Sequence, residues 1–589
     1  MSGTGKKKFS KLQRILLAGG AVVVLAGAGF AVSAGVRTAR AAMAARGGVT
    51  TWSSAETAIA AKPAKGMDGW DIPQPVHMPS DPKQAALVKK GMFLTVAGDC
   101  MPCHSVAGEP EFAGGRAVGT PFGSVFSTNL TPDKKYGIGS MTDKQFYAAV
   151  HGGIDPGSSL VVFPKYEYPV MPYTSYSKLT YSDVMAIKAY LDTLKPVAIK
   201  NRPDTMFFPT DLRAGMLAWR LLFFHPHPVR YQKGWSQNVR HGAYLVQALE
   251  HCDACHTPRN IAMASIHSRY LAGGHIIDQA WYAPNITSSK SDGLGSWSDK
   301  AIYTYLHDDG DMKQGAPFGK MKAVVDDSLS RMPKQDVQDI VDYLRTLKPL
   351  KSHIPPAIPD AAASVAAGKT LYDDECARCH MKTGEGVNNN IPNLAHNQAV
   401  WNGRPIDVIG MMLAGFEPWH KDQTAMPMFG ATLSDAQIAD IANYVRTAWG
   451  NRGEPDATAN TVAALRSEAT IEVDLDTGST KASLSADGKT RQFNDISGRV
   501  WVNGNRTDCR MTANFSTQYG KNPVLLGGAC ASQGNEFAGR VTVDGKVTPV
   551  VLMVRQVLHD NHLVGLHLFG PIGDGRTLDA NIALKTVNY

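Results

Sequence analysis

One pentapeptide pattern occurs three times in this chain and constrains its fold more than any other feature. The pattern is Cys-x-x-Cys-His, and its copies begin at Cys100, Cys252 and Cys376. It is typical of covalent haem c attachment, in which two thiols bond to one porphyrin and the next histidine coordinates the iron. A single copy could instead be a redox-active dithiol or half of a zinc site. Three copies, with no second CxxC or paired histidines at zinc spacing, favour haem.

The pattern therefore predicts three haems c, each with its own protein ligands. The predicted attachment residues are Cys100, Cys103, Cys252, Cys255, Cys376 and Cys379, and the predicted proximal ligands are His104, His256 and His380.

Length and composition indicate several globular domains. The chain has 589 residues, of which 43% are hydrophobic and 19% charged, which excludes wholesale disorder. The formal net charge is +8, but the basic residues are spread along the chain. We therefore expect no nucleic-acid partner.

Two cysteines remain outside the three motifs. Cys509 and Cys530 lie 21 positions apart near the end of the chain. In an exported protein they can form a disulfide, and two unrelated buried thiols are the alternative.

The first 40 residues predict export of the chain. Several Lys and Arg side chains precede the uncharged run 15–36, which has 22 residues. Its length suits a membrane helix, which needs about 20 residues, better than a signal-peptide core. Cleavage at Ala39-Arg40-Ala41 is the alternative. The charges place the start in the cytoplasm, so we expect an N-terminal anchor in the bacterial inner membrane with the remainder on its periplasmic side.

Residues 41–80 are rich in Ala, Pro and Gly and are interpreted as a linker, after which three haem domains are predicted at 81–200, 201–350 and 351–453. The first two contain a duplication, since Asn129-Leu130-Thr131 recurs as 285–287 and the block 137–144 recurs as 293–300. We interpret the Asn-x-Thr blocks as structural loops. Each domain ends in a predicted amphipathic helix, near residues 184–191, 337–344 and 438–445, that should pack on the helix leading into CxxCH.

The segment 210–224 predicts a helix with a very apolar end. We expect it to be buried between domains, and a membrane-interface or quinone contact is the alternative.

From residue 454 to residue 589 the pattern changes to short stretches in which polar and apolar residues alternate. Turn signals such as Asp487-Gly488 and Asp544-Gly545 separate these stretches. This predicts an all-β domain of sandwich or barrel type with a docking or capping role. The expected fold is therefore mostly α, with an N-terminal membrane helix, three tandem cytochrome c-type haem domains and a C-terminal β domain.

Methionines supply candidates for the second axial ligand of each iron. Met171 and Met426 both begin Met-Pro loops shortly before the last helix of their domains. A thioether opposite histidine raises the haem potential and suits electron transfer. In the second domain Met312, Met321 and Met332 are all candidates, and the position of Met321 upstream of residues 328–329 favours it.

Residues from about 85 to 450 resemble the three-haem cytochrome c subunit of membrane-bound bacterial dehydrogenases that oxidise alcohols, aldehydes or sugars. The three CxxCH sites, the two Asn-[Leu/Ile]-Thr…Gly-[Ile/Leu]-Gly-Ser blocks, Cys-His-Thr-Pro-Arg-Asn at 255–260 and Trp-Gly-Asn at 449–451 carry the resemblance.

The resemblance implies a dehydrogenase partner with a pyrroloquinoline quinone, flavin or molybdenum cofactor, and ubiquinone as the electron acceptor. It also implies that Met171 and Met426 are axial ligands, and that Met321 is a third although Lys320 and Lys322 replace a proline and an alanine of its block. The carbonyl of Pro392 should orient a histidine ring. The family has a C-terminal membrane segment where this chain has the β region, so we expect the N-terminal run to be the anchor.

Two other functions remain open at this point. One is a stand-alone haem enzyme, such as a peroxidase or reductase, and it requires an open sixth site on one iron. The other is a free-standing electron shuttle without a catalytic partner.

Overall fold

The computed structural model describes most of the chain after residue 71. The described residues are 72–105, 110–156, 165–276, 281–308, 310, 315–352, 357–387, 390–401, 403–415, 424, 426–427, 429–431, 433–468, 470–474, 479–486, 488–493, 495–503, 509–516, 524–530, 536–544, 546–559, 562–572 and 575–583. The predicted anchor and most of the linker lie outside them. Within these ranges, no helix combines the length and the hydropathy needed to cross a bilayer.

Helices dominate the described residues before position 470. The α-helices are Pro82–Ala97, Cys100–His104, Asp143–Gly152, Tyr173–Tyr176, Tyr181–Leu191, Gly215–Phe223, Gln237–Tyr244, Asp253–His256, Asp299–His307, Gly319–Asp327, Lys334–Arg345, Ala361–Glu375, Ala377–His380, Gln398–Trp401, Ile406–Ala414, Asp435–Thr447 and Ala459–Glu468. A π-helical turn, Leu245–Leu249, continues the helix Gln237–Tyr244. Short 3-10 turns span His267–Arg269, Leu294–Ser296, Leu329–Arg331 and Phe429–Ala431.

Three pairs of helices organise this part of the chain. A leading helix runs into each CxxCH motif, and a closing helix follows later and packs against it. The leading helices are Pro82–Ala97, Gln237–Tyr244 and Ala361–Glu375, and the closing helices are Tyr181–Leu191, Lys334–Arg345 and Asp435–Thr447. We call the parts around these pairs unit 1, unit 2 and unit 3. The predicted packing of the last helix on the helix before CxxCH is confirmed.

Local sequence explains where several of these helices begin. Asp81 caps the first leading helix and accepts from the main-chain N–H groups of residues 83 and 84, with Pro82 in the first turn. Thr180 caps the closing helix of unit 1. Ser434 and Gln437 form a capping box at the start of the closing helix of unit 3.

A glycine lets each helix pair cross at close range. A Cβ on this glycine would clash with a main-chain carbonyl oxygen of the closing helix. A Cβ at Gly91 would lie 1.8 Å from the carbonyl oxygen of Ala186. A Cβ at Gly242 would lie 1.8 Å from that of Asp339, and a Cβ at Gly368 would lie 1.9 Å from that of Asp440. These contacts also show which residues occupy equivalent positions in the three units.

The buried side chains form separate cores. Units 1 and 2 share one cluster, which joins Phe93 and Leu94 of the first leading helix to Leu245 and Leu249 of the π-turn. Unit 3 has its own cluster, and Tyr282 of unit 2 inserts into it. The C-terminal sheet has a third.

The helix predicted at 210–224 is shorter than expected and spans Gly215–Phe223. It buries Met216 and Arg220, whereas Leu222 is 67% exposed. The helix is therefore covered on one face only, which differs from a helix enclosed between domains.

Strands form two small hairpins and one large sheet. The hairpins pair β1 (Ala117–Thr120) with β2 (Gly123–Phe126) and β3 (Ala272–His275) with β4 (Tyr282–Asn285). The other strands are β5 (Thr470–Asp474), β6 (Lys481–Ala486), β7 (Lys489–Phe493), β8 (Asp495–Asn503), β9 (Cys509–Ser516), β10 (Val524–Cys530), β11 (Glu536–Val543), β12 (Lys546–His559), β13 (His562–Pro571) and β14 (Thr577–Ala583).

The ten later strands form one antiparallel sheet in the order β5-β8-β9-β10-β11-β12-β13-β14-β6-β7. Strands β8 to β14 are neighbours in sequence and in space. Asp544, with φ 52°, lies in the tight turn between β11 and β12, at one of the predicted turn signals. Alternate residues of the described strands point into the core of this sheet.

Candidate functional site

Each CxxCH motif comes after its leading helix, in unit 2 beyond the π-helical turn, and most of its residues are helical. The short helices Cys100–His104, Asp253–His256 and Ala377–His380 carry the motifs. A single helical turn thus holds two thiols and one imidazole close together. None of these six thiols is in a disulfide bond. Two thiols and a histidine at this spacing are what covalent attachment of haem c requires.

The same contact orients the histidine of every motif. The ring Nδ1 lies within hydrogen-bond distance of a main-chain carbonyl oxygen: Thr128 for His104 at 2.8 Å, Pro284 for His256 at 2.6 Å, and Pro392 for His380 at 3.2 Å. A carbonyl oxygen can only accept, so Nδ1 carries the proton and Nε2 keeps its lone pair for a metal. The role predicted for Pro392 is confirmed. Those of Thr128 and Pro284 were not predicted.

The duplicated Asn-x-Thr blocks explain why Thr128 and Pro284 are so placed. Asn129 accepts from the N–H of Thr131 at 2.9 Å and from its hydroxyl at 2.7 Å. Asn285 and Thr287 repeat both distances. All four residues are buried. The blocks are therefore structural loops, as predicted. Each block fixes the main-chain carbonyl group of the residue immediately before it. The repeated block was thus the sequence signal from which the contacts of Thr128 and Pro284 could have been found.

Two arginines hold the motif backbones. Arg116 donates to the carbonyl oxygen of Pro102, and Arg259 donates to that of Ala254 at 2.9 Å. Both acceptors occupy the third position of a CxxCH motif. Arg259 belongs to a motif recognised in the sequence, whereas no sequence pattern indicated the role of Arg116.

Burial keeps the site groups neutral. It raises the pKa of the Cys100 and Cys376 thiols to about 12. It lowers the pKa of His104, His256 and His380 below the ordinary histidine value. A reactive or zinc-binding thiol needs a lowered pKa, so this environment suits neutral thioethers and neutral imidazole ligands better.

The methionine candidates lie at comparable places in the three units. Met171, Met321 and Met426 are half-buried and pack against the core of their unit. Each lies seven or eight positions before a buried leucine, which is Leu179, Leu329 or Leu433.

The rival candidates in unit 2 are placed differently. Met332 is only 3% exposed inside the shared core, with its sulfur 4.0 Å from the Ser328 hydroxyl. Met312 lies outside the described residues.

Two buried hydrogen-bond donors are suited to bind a large anionic group. Arg269 Nε, in the turn before β3, and Trp401 Nε1, in unit 3, are buried without a hydrogen-bond acceptor. Haem propionates are hydrogen-bond acceptors of the kind that would satisfy such donors. With the paired thiols and the oriented imidazoles, the described residues fit haem c.

The motifs of units 1 and 2 lie at a common interface. The Ser175 hydroxyl of unit 1 donates to the carboxylate of Asp253, inside the second motif, at 2.7 Å. The Ser328 hydroxyl of unit 2 approaches the carbonyl of Ala97, three residues before Cys100, at 3.3 Å. The rings of Tyr176 and His251 are 5.5 Å apart.

Cys509 and Cys530 begin β9 and end β10. The described register pairs Arg510 with Ala529, so its next step places Cys530 opposite Cys509. Their side chains lie outside the part of the structure that is described.

Comparison with known proteins adds independent information on these sites. A family model described as cytochrome c matches residues 239–348 and 365–449. The cytochrome c subunit of alcohol dehydrogenase (quinone) from Gluconacetobacter polyoxogenes is 36% identical over 408 residues, covering 65% of this chain and 84% of that protein. The gluconate 2-dehydrogenase cytochrome c subunit from Pantoea cypripedii is 35% identical, covering 67% and 92%.

The chain belongs to this family of cytochrome c subunits. The fructose dehydrogenase cytochrome subunit from Gluconobacter japonicus, 34% identical over 64% of this chain and 81% of its own, is another relative. Family membership establishes covalently bound haem c as the cofactor. It also favours an electron-transfer subunit over a stand-alone haem enzyme or a free shuttle.

Proposed function

We propose that this chain is the electron-transfer subunit of a periplasmic quinone-linked dehydrogenase and carries three haems c. Its haem domains would be residues 81–200, 201–350 and 351–453. The observation that carries the proposal is the threefold repetition of one arrangement: a CxxCH turn after a leading helix, with the histidine Nδ1 on a main-chain carbonyl. Bound haem supplies one-electron chemistry, and the chain positions it.

In this proposal each haem has a histidine and a methionine as axial ligands. Their pairs are His104 with Met171, His256 with Met321, and His380 with Met426. The similar spacing of the methionines, seven or eight positions before a buried leucine, supports this set, and the burial of Met332 in the core argues against Met332 as the ligand in unit 2. Thioether ligation fills the sixth site, which suits electron transfer rather than oxygen chemistry.

The contacts between units support transfer from haem to haem within the chain. The hydrogen bond from Ser175 to Asp253 joins unit 1 to the motif of unit 2. Tyr282, two residues before the Pro284 that orients His256, donates its N–H to Asp407 of unit 3 at 2.8 Å. The parts of the chain that would hold neighbouring haems are thus packed against one another.

The relatives are named as cytochrome subunits of an alcohol dehydrogenase (quinone), a gluconate 2-dehydrogenase and a fructose dehydrogenase. On this basis we propose a catalytic partner that oxidises an alcohol, aldehyde or sugar, with ubiquinone as the acceptor. That partner would contain pyrroloquinoline quinone, flavin or molybdenum. For its docking we propose the C-terminal sheet. Val551, Met553 and Phe569 are 59%, 64% and 45% exposed there, and Met553 and Phe569 are directly paired on β12 and β13. Neighbouring exposed apolar side chains are typical of protein contact surfaces.

A second exposed apolar set supports contact with the membrane surface, besides the predicted N-terminal anchor. Phe208, Leu222 and Ile261 are 75%, 67% and 100% exposed. Trp219 donates to the carbonyl oxygen of Ala262 at 2.7 Å, which brings the loop of Ile261 beside the helix Gly215–Phe223. Apolar side chains beside tryptophan suit the membrane interface.

Purification from detergent-solubilised membranes tests the function. We expect the chain to co-purify with a larger dehydrogenase subunit, and its denatured mass to exceed the polypeptide mass by three haem groups. Cys376→Ala should weaken or remove one haem. A mass excess of two haems, or a haem-loaded chain isolated without any catalytic subunit, would overturn the proposal.

A further inference from the structure

A buried cluster of ligand-type side chains lies in unit 2, on the helix pair that frames its motif. His241 is on the leading helix, and Asp336 and Asp339 are on the closing helix. His241 Nδ1 is 2.8 Å from Asp339 Oδ2 and 3.7 Å from Asp336 Oδ1. One nitrogen or oxygen atom from each residue can be chosen so that all three lie within 4.8 Å of one another. The three residues are 6%, 0% and 3% exposed.

Unit 1 has a different arrangement at the same place. The glycine contacts make Lys90 the counterpart of His241, since each precedes the glycine of its leading helix. Lys90 Nζ pairs with Asp183 Oδ1 at 2.6 Å, so one fixed positive charge meets one carboxylate.

The closing helices differ in the same way. Ala186 and Asp339 are counterparts because their carbonyls meet the two glycines, and Asp183 and Asp336 lie three positions before them. Unit 2 thus has a second carboxylate where unit 1 has a methyl group, and an imidazole where unit 1 has an ammonium. A divalent cation placed among these three side chains would bring two positive charges to the two carboxylates, and the imidazole would supply a nitrogen ligand.

We propose that His241, Asp336 and Asp339 bind a divalent transition-metal ion that clamps the leading helix to the closing helix of unit 2. One imidazole nitrogen and two carboxylate oxygens form a mixed ligand set that suits ions such as Zn²⁺ or Mn²⁺. The charge of the ion offsets the cost of burying two neighbouring carboxylates. The site is structural and separate from the haem irons, so it does not depend on the proposed electron-transfer role.

Zinc is a suitable probe because haem iron does not interfere with its measurement. The full haem-loaded protein is treated with a chelator, dialysed, and titrated with Zn²⁺ by calorimetry, and bound zinc is counted by elemental analysis. We expect one equivalent of tightly bound zinc and a rise in the thermal unfolding temperature. Manganese titrated in parallel reports the preference of the site.

The internal repeat provides a matched variant. His241→Lys with Asp339→Ala gives unit 2 the Lys, Asp and Ala of unit 1, so it should fold with normal haem content and lose the tight equivalent of zinc. If this double variant accumulates poorly, His241→Gln, which removes the imidazole with little change in volume, gives the same comparison. Tight zinc retained by these variants would overturn the proposal, as would wild-type protein that binds neither zinc nor manganese.

Discussion

Tyr282 and Asp407 join two helical units through one buried hydrogen bond. The main-chain N–H of Tyr282, on β4 of unit 2, donates to the Asp407 carboxylate of unit 3 over 2.8 Å. Gly403 lies against the Tyr282 ring, since a Cβ there would stand 2.2 Å from it. Two residues after Tyr282, the carbonyl of Pro284 orients His256. The bond therefore links the packing of unit 3 to the strand whose Pro284 carbonyl orients His256, an expected iron ligand.

The burial of Asp407 makes stability depend on pH. Burial raises the pKa of Asp407 to about 7, although the N–H of Tyr282 and the charge of Arg446 oppose the shift. The folded protein therefore holds a proton that the unfolded chain, with a pKa of 3.8, releases. Stability should fall as pH rises from about 4 to about 8, by on the order of 4 kcal/mol in all.

Asp407→Asn tests this dependence, because an amide oxygen can still accept from Tyr282 but cannot ionise. Denaturant unfolding between pH 5 and pH 8 should be less pH-dependent in the variant, and the variant should be more stable than wild type at pH 8. Asp143→Asn, at a 68% exposed side chain, is the control. Equal pH dependence in Asp407→Asn and wild type would contradict the assignment.

Gly368→Ala should destabilise unit 3. The new methyl group would meet the carbonyl oxygen of Asp440 at 1.9 Å, so the two helices must separate, at a cost of about 3 kcal/mol. Gly215→Ala is the matched control, since no atom lies within 4 Å of its Cβ position and alanine favours a helix. Thermal unfolding of both variants decides the matter, and equal stabilities would refute the close crossing.

Methionine variants should affect one haem at a time. Met171→His and Met426→His should each lower the potential of one haem, because imidazole favours ferric iron more than a thioether does. Met321→Ala should convert the haem of unit 2 to a high-spin or open form, whereas Met332→Leu should leave the spectrum unchanged. Redox titration with optical and magnetic spectra measures both effects. A spectrum altered by Met332→Leu and unaffected by Met321→Ala would reverse the assignment.

The strand register predicts a disulfide between Cys509 and Cys530. Directly opposed residues of adjacent antiparallel strands have Cα atoms about 4.5–5.5 Å apart, within the range that a disulfide spans. Peptide mapping without reduction should recover the two cysteines as one linked pair. Replacing both with serine should cost about 3 kcal/mol and leave haem content unchanged. Two alkylatable thiols in the native, exported protein would exclude the bridge.

The two exposed apolar sets should have separate effects. Serine at Phe208, Leu222 and Ile261 should weaken binding to vesicles of mixed phospholipid and slow quinone reduction, because it removes apolar area from the proposed membrane face. Serine at Val551 and Met553 should instead weaken association with the catalytic subunit and leave vesicle binding intact. Flotation assays and pull-downs measure these outcomes, and an exchanged pattern would reverse the two surface assignments.

The amino-acid sequence by itself determined the chemistry of the site. Covalent attachment requires two thiols and a histidine at fixed spacing, and that local requirement is visible at Cys100, Cys252 and Cys376. Helical periodicity located the closing helices, since a buried stripe must recur every three or four residues. The alternation of polar and apolar residues, with turn residues such as Asp544, located strands of the sheet, because successive side chains of a strand point to opposite faces.

Only the tertiary structure decided which distant groups meet. No local pattern brings Arg116 to Pro102 or Asp407 to Tyr282, because these contacts depend on how packed helices and loops fold back on one another. Position in the sequence favoured Met321 over Met332 as the proposed ligand. The structure adds that Met321 is half-buried whereas Met332 is enclosed in the core, and this difference arises only from the packing of the helices.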